Sequence, residues 1–337
     1  MNGFDVRLRN AGPVIAPRVA SWVAALIPSL IASLIAMSPG LALAQAKPAP
    51  ATVRVAATPI TNYTPLLVAR DKGWFAEEGL TVTWTMVSQG ALAIEAVFGG
   101  SAEFGCSSIF EPMGARGNGL DIMFAVGGTR IRNAPPDNSG VVVRTKDNIQ
   151  RPADLAGKKV AAGLLNSVNH VHMMEWLAKG GVDPQKVQFL ELPFPQMPDA
   201  LFQNRLDAVW AVEPFLTLML KSGNARVLAY PYQENIPRMD IAHYIAKESW
   251  LKANPDVARR FKRAMDRATS LLASGPKDER DGWVAKFTGM KPEMVSSVNL
   301  PEFSTEFNVA SLRANLDLAV KYKMVKTHDV NTMIWKP

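Results

Sequence analysis

The chain has one cysteine, Cys106. A lone cysteine excludes an internal disulfide and any thiolate cage for zinc or an iron–sulfur cluster. Histidines are few. His170 and His172 stand two apart on an expected helix, about 200° apart around its axis, and cannot grip one metal from one face. There is no Gly-x-Ser-x-Gly elbow, no Walker loop and no Gly-x-Gly-x-x-Gly. Gly127-Gly128 follows an expected strand but lacks the rest of a dinucleotide fingerprint. These absences leave no catalytic constellation, no metal site and no cofactor, so a non-enzymatic role is expected. The charge forms no long basic run and no basic patch interleaved with aromatics, which excludes a nucleic-acid footprint. Beyond residue 37 no stretch approaches 18 uninterrupted apolar residues, so no later membrane span is expected.

What is present is ordinary globular composition: 337 residues, 48% apolar and 20% charged, with a formal charge of +7. The length suggests two domains or lobes and a core that needs no covalent staples. Arg7, Arg9 and Arg18 open the chain, with Asp5 as the one acid among them. An apolar run follows from Val19, then Ser38-Pro39-Gly40 and Ala42-Leu43-Ala44, a small-x-small cleavage pattern. This reads as a secretory signal peptide over residues 1–44. A single membrane anchor is the rival reading, since the apolar run nears the roughly 20 residues a span needs. Cleavage takes the charge from +7 to about +5.

Residues 45–51 read as a Pro-rich linker. Strand and helix patterns then alternate: strands at Thr52–Ala57, Leu80–Met86, Glu103–Cys106 and Asp121–Val126, with helices at Pro65–Lys72, Ala91–Phe98 and Ile109–Arg116 between them. The βαβ order argues for a parallel sheet with helical crossovers. A further strand, Val141–Arg144, closes the first part of lobe one, residues 52–144. A second α/β series fills lobe two, 145–238. A returning strand, Ile241–Ala246, and a helical tail complete lobe one, 239–337. Ligands in such folds sit outside the carboxyl ends of the strands, so the loops there are the ones that matter.

Four stretches carry a family resemblance. They are Pro65-x-x-x-Ala69-x-x-x-Gly73-Trp74-Phe75-x-x-x-Gly79-Leu80, Phe98-Gly99-Gly100-x-x-Glu103-x-Gly105, Pro152-Ala153-Asp154-Leu155-Ala156-Gly157-Lys158, and Arg205-Leu206-Asp207-Ala208 through Glu213-Pro214. In order and spacing the chain resembles the periplasmic solute-binding proteins of ABC importers for sulfonates, taurine, nitrate and thiamine precursors. Glu103 stands where that family usually has Asp. The resemblance implies a type II periplasmic-binding-protein-like fold, two α/β lobes joined by two hinge strands with a ligand cleft between them. It implies a monomer that closes on a small organic anion, a sulfonate or carboxylate and attractively an aromatic acid. It also implies a permease and its ATPase as partners, membrane contact only through that permease, and a periplasmic location. Related alternatives are a pyrimidine-precursor binding protein, a synthase-fold enzyme of the thiamine pathway, or a periplasmic ligand sensor.

The cleft candidates follow from the loops. Asn166, Ser167 and Asn169 open an amphipathic helix, where capping alone explains them, but a helix start is also an anion site. Ser88 and Gln89 open one helix, Ser107 and Ser108 another. Thr61, Asn62 and Tyr63 follow the first strand, and Tyr63 could stack on a flat ligand. Arg130, rather than Arg132, is expected to fork onto the oxyanion. Residues 133–138 are a candidate lid. Trp210 is a candidate aromatic wall. Glu213, which would repel an anion, suits an amine, an arginine or backbone N–H groups. Cys106 reads as a packed small residue.

Overall fold

The computed structural model describes residues 49–337; the expected signal peptide and most of the linker lie outside them. Eleven strands form two sheets among the described residues. They are β1 (Ala51–Ala57), β2 (Leu80–Met86), β3 (Phe104–Ser108), β4 (Met123–Arg130), β5 (Ser139–Arg144), β6 (Lys159–Ala161), β7 (Gln188–Leu190), β8 (Ala208–Val212), β9 (Ala225–Ala229), β10 (Asp240–Ala246) and β11 (Glu302–Phe303). The first sheet runs β11-β4-β10-β3-β1-β2, the second β7-β6-β8-β5-β9. The helices that matter below are α1 (Gly90–Phe98), α2 (Phe110–Gly117), α3 (Val168–Lys179), α4 (Phe215–Lys221), α5 (Pro231–Asn235) and α6 (Val309–Lys321).

The βα alternation gives the parallel pairs β1–β2, β1–β3, β6–β7 and β6–β8. Neither sheet is purely parallel, however. The returning strand β10 runs antiparallel to both β3 and β4, and β5 runs antiparallel to β8 and β9. The reason is topological: a chain that leaves one sheet at the end of β4 and comes back must re-enter in the opposite direction. The same pairing corrects a lobe assignment. The strand expected at Val141–Arg144 exists, but it lies inside the second sheet, so lobe two begins before Ser139 and not after Arg144. Alternation along β5 shows why it is buried on both faces. Val141 and Val143 join the large core that runs through both lobes, while Val142 packs into a second cluster with Met197, Leu201 and Leu216.

Residues 131–138 and 236–239 are the two crossings, tied to each other by the Ile131 N–H to the Met239 carbonyl at 3.0 Å. Where they meet lobe one, Asp240 is fully buried. Its carboxylate accepts from Arg130 Nε at 2.7 Å, His243 Nε2 at 3.1 Å and the Asn308 N–H at 2.7 Å. Its own N–H donates to Ser311 Oγ at 3.0 Å. Burial pushes this carboxyl up, but His243, Arg130 and the Asn308 N–H together hold it below its usual range. Beside it, Gly127-Gly128 is a packing device and no part of a nucleotide fingerprint. A Cβ on Gly128 would lie 2.2 Å from the Ala242 carbonyl oxygen, and one on Gly127 would lie 2.6 Å from that of Thr305.

The lobes also touch along α3. His172 Nε2 lies 2.8 Å from Asn315 Oδ1 on α6, and its ring meets Phe110 of α2 edge-on. Glu175 accepts from Lys321 Nζ at 2.6 Å and the Tyr322 hydroxyl at 2.8 Å. Removing one member of a buried ion pair costs about 3–5 kcal/mol. Asp240→Asn is therefore expected to lower the denaturation midpoint strongly. A midpoint within the range of a surface ion pair, under about 1 kcal/mol, would show that the carboxylate is not the anchor of the crossings.

Candidate functional site

The strands of both sheets end at one cavity of about 100 Å³. Lobe one contributes Asn62, Tyr63, Gln89, Ser108 and Glu111; lobe two contributes Ser167, Asn169, Phe194 and Tyr232. Asn138 and Ser139, where the first crossing enters lobe two, line it between them. A larger hollow, about 570 Å³, lies beside the same crossing against Arg132, Lys277, Arg280 and Glu302, and lobe two contributes nothing to it.

Each polar group is held by a local reason. Asn62 sits in the turn after β1; its Nδ2 donates to Thr129 Oγ1 at 2.8 Å and its Oδ1 accepts from Asn138 Nδ2 at 3.3 Å. Gln89 is the residue before α1 and gives it no side-chain cap. Ser167 caps α3, its Oγ accepting from the His170 N–H. The first N–H groups of α1 and α3 have no partner within their helices, so two positive helix ends, one from each lobe, bound the cavity. Tyr232 donates its hydroxyl to Asn169 Oδ1 and packs against Trp210 at 4.5 Å. Tyr63 meets Tyr244 edge-on at 5.7 Å. Burial pushes the phenols of Tyr63 and Tyr232 well up, so both stay protonated.

Of the residues expected in the cleft, Asn62, Tyr63, Gln89, Ser108, Ser167 and Asn169 are brought together. The others are not. Thr61 and Ser107 are fully buried behind the wall, with unpartnered hydroxyls. Ser88 and Asn166 are exposed outside it. Trp210 is buried beneath Tyr232 and forms no wall of its own. Arg130 does not reach the cavity: its guanidinium is spent on Asp240 and on the Glu306 carbonyl at 2.9 Å. The candidate lid is the first crossing itself. Asp137, fully buried there, accepts from the N–H groups of Asn138 and Arg132 and is raised to about 6 by burial.

Glu213 is likewise absent from the lining. It is buried, accepting from the Thr217 N–H at 3.0 Å, Thr217 Oγ1 at 2.8 Å and the Asn299 N–H at 3.1 Å. It thereby ties lobe two, at the turn into α4, to the segment that leads to β11 in lobe one. The expectation that Glu213 suits backbone N–H groups describes these partners.

Sequence reasoning missed Glu111, Asn138, Phe194 and Tyr232. Ser108-x-x-Glu111 has the capping-box pattern, but the helix starts after Ile109 without a side-chain cap and Ser108 donates to Glu111 instead. Phe194 and Tyr232 follow β7 and β9, and a lone aromatic after a strand carries no local sign that it lines a cavity. Cys106 is fully buried and its thiol is pushed up by burial, which makes it inert. His170 accepts from the Asn166 N–H and packs on Phe189, so the two helix histidines serve different neighbours.

Burial raises the Glu213 carboxyl from its usual 4.5 to about 7. The folded state thus keeps a proton that the unfolded state gives up, and this group subtracts stability as pH rises from 4.5 to 7, on the order of 3 kcal/mol. His170 and His172, lowered to about 4 by burial, subtract stability in the opposite sense, as pH falls from 6.5 towards 4. Glu213→Gln removes only the first trend. Its melting temperature relative to the natural chain should therefore climb between pH 5 and pH 8; a constant difference would show that the carboxyl titrates near its usual value.

Residues 60–279 match the model of the family described as NMT1/THI5 like. The taurine-binding periplasmic protein of Escherichia coli K12 is 24% identical over 217 residues, which are 64% of this chain and 65% of that protein. The chain thus spans just under two thirds of that relative. A 4-amino-5-hydroxymethyl-2-methylpyrimidine phosphate synthase of Uromyces fabae is 23% identical over 268 residues, 74% of this chain and 73% of the synthase. Among solved structures, the alkanesulfonate-binding protein SsuA of Xanthomonas axonopodis pv. citri, bound to MOPS, superposes with a TM-score of 0.73 at 19% identity, covering 86% of this chain and 99% of that one. The two-sheet architecture is that of the periplasmic binding proteins. With the family's model matched across both lobes, the chain belongs to the NMT1/THI5-like family.

Proposed function

We propose that this chain is the solute-binding subunit of an ABC importer and holds a small organic anion between its lobes. The observation that carries this reading is the convergence of the starts of α1 and α3, one from each lobe, on a single cavity. Their free N–H groups and dipoles suit an oxyanion without any arginine. Gln89 and Asn169 supply neutral side-chain N–H donors beside them, and Tyr63, Phe194 and Tyr232 supply the apolar walls.

Binding from both sides favours closure about the residue 131–138 and 236–239 crossings, by hinge motion. The closed monomer then delivers its ligand to a permease driven by an ATPase. A cleaved signal peptide at residues 1–44 and a periplasmic location belong to the same reading. The relatives named as binding proteins support it, and the inert Cys106 favours binding over catalysis.

The test is thermal unfolding of the purified protein against alkyl sulfonates, taurine, nitrate, benzoate and the phthalates, with a pyrimidine precursor of thiamine and pyridoxal phosphate alongside. A ligand at 100 times its dissociation constant adds about 2.7 kcal/mol, a rise of several degrees. A rise with an oxyanion class is expected, and Asn169→Asp, which sets a carboxylate at the start of α3, should abolish it. Rises only with the cationic precursor or the phosphate cofactor would overturn the anion reading.

A further inference from the structure

No cationic side chain lines the cavity among the described residues, yet a carboxyl does. Glu111 stands in the first turn of α2, where Ser108 Oγ donates to its Oε2. The residue's own backbone N–H also bonds the carboxyl, but no other side-chain donor reaches it among the described residues, and no lysine, arginine or histidine forms a salt bridge with it. A partly buried acid without a cation is still costly to ionise, so it calls for a proton or for a donor from a ligand. Burial raises its pKa accordingly. A second observation points the same way. Asn138, 3% exposed and on the same lining, has its Oδ1 buried with no donor. Buried polar atoms are ordinarily paired, so an orphaned acceptor on a ligand cavity marks where a ligand's donor goes. The cavity therefore carries two unlike sets of groups: N–H donors at the starts of α1 and α3, and acceptors at Glu111 and Asn138.

We infer that Glu111 is the specificity-determining residue of the cavity and selects ligands that carry an ammonium or amino group together with their oxyanion, its carboxylate and Asn138 Oδ1 taking the N–H donors. This rests on the oxyanion reading above for the other end of the ligand. A simple anion leaves both acceptors unanswered, which a hydrogen-bonding site penalises.

Titration calorimetry with three probes decides it: taurine, which has both groups, ethanesulfonate, which lacks the amine, and ethanolamine, which lacks the sulfonate. Taurine is expected to bind about ten-fold or more tighter than ethanesulfonate, the worth of a hydrogen bond to a charged group. Glu111→Gln keeps an oxygen that can accept from Ser108 Oγ and should bring the two sulfonates within about two-fold of each other. Ethanesulfonate binding as tightly as taurine to the natural chain overturns the inference without any variant and leaves the oxyanion reading standing. Ethanolamine binding alone, and lost in Glu111→Gln, upholds the inference and overturns the oxyanion reading. Binding of none of the three overturns both.

Discussion

The buried carboxylate of Asp240 sits where the two crossings meet lobe one, and much else depends on it. It joins the last residue of β4 to the first of β10 and reaches the start of α6 through Asn308 and Ser311. A charge with no access to water must be answered by fixed partners, and here Arg130 and His243 answer it. Two consequences follow for the cavity. The crossings are anchored to a rigid sheet, so the lobes keep a defined relation at their common edge. And the arginine that the sequence places nearest the cleft is consumed as structure, so the site must be built from other chemistry.

That chemistry is dipolar. Backbone N–H groups at two helix starts are fixed in direction, and those groups contribute no side-chain rotamer freedom that binding must freeze, unlike a long guanidinium stem. They suit an oxyanion, but they do not discriminate what lies at the ligand's other end. On the inference drawn above, discrimination falls to Glu111 and the unpaired oxygen of Asn138, which share the lining with aromatic and aliphatic side chains. A cavity that offers both donors and acceptors reads the functional groups of a small ligand as well as its charge. The hollow beside Arg132, Lys277 and Arg280 has the cations this cavity lacks, but only one lobe and a crossing line it.

Much of the fold was legible in the residues. Val53, Val55 and Ala57 announce β1, and Gly99-Gly100 marks the end of α1. Local periodicity and turn chemistry suffice for such elements. Pairing partners were not legible: Val141–Arg144 reads as a strand, but its place between β8 and β9 depends on residues up to 88 positions away. The same limit explains the site. Ser167 and Asn169 could be found because capping is local, whereas the fate of Arg130 is fixed by Asp240, 110 residues on. Trp210 and Glu213 look like cleft residues from their position at a strand end, yet tertiary packing buries both. Glu111 had a local mark, the Ser-x-x-Glu pattern, but nothing local says that such an acid lines a cavity.

The central claim is that an oxyanion is held between the lobes by helix starts and not by an arginine. A crystal structure of the protein grown with ethanesulfonate or taurine tests it most directly. Sulfonate oxygens are expected within hydrogen-bond distance of the N–H groups at Gly90–Ala91 and Val168–Asn169. A sulfonate seated instead on Arg132, Lys277 and Arg280 would contradict it.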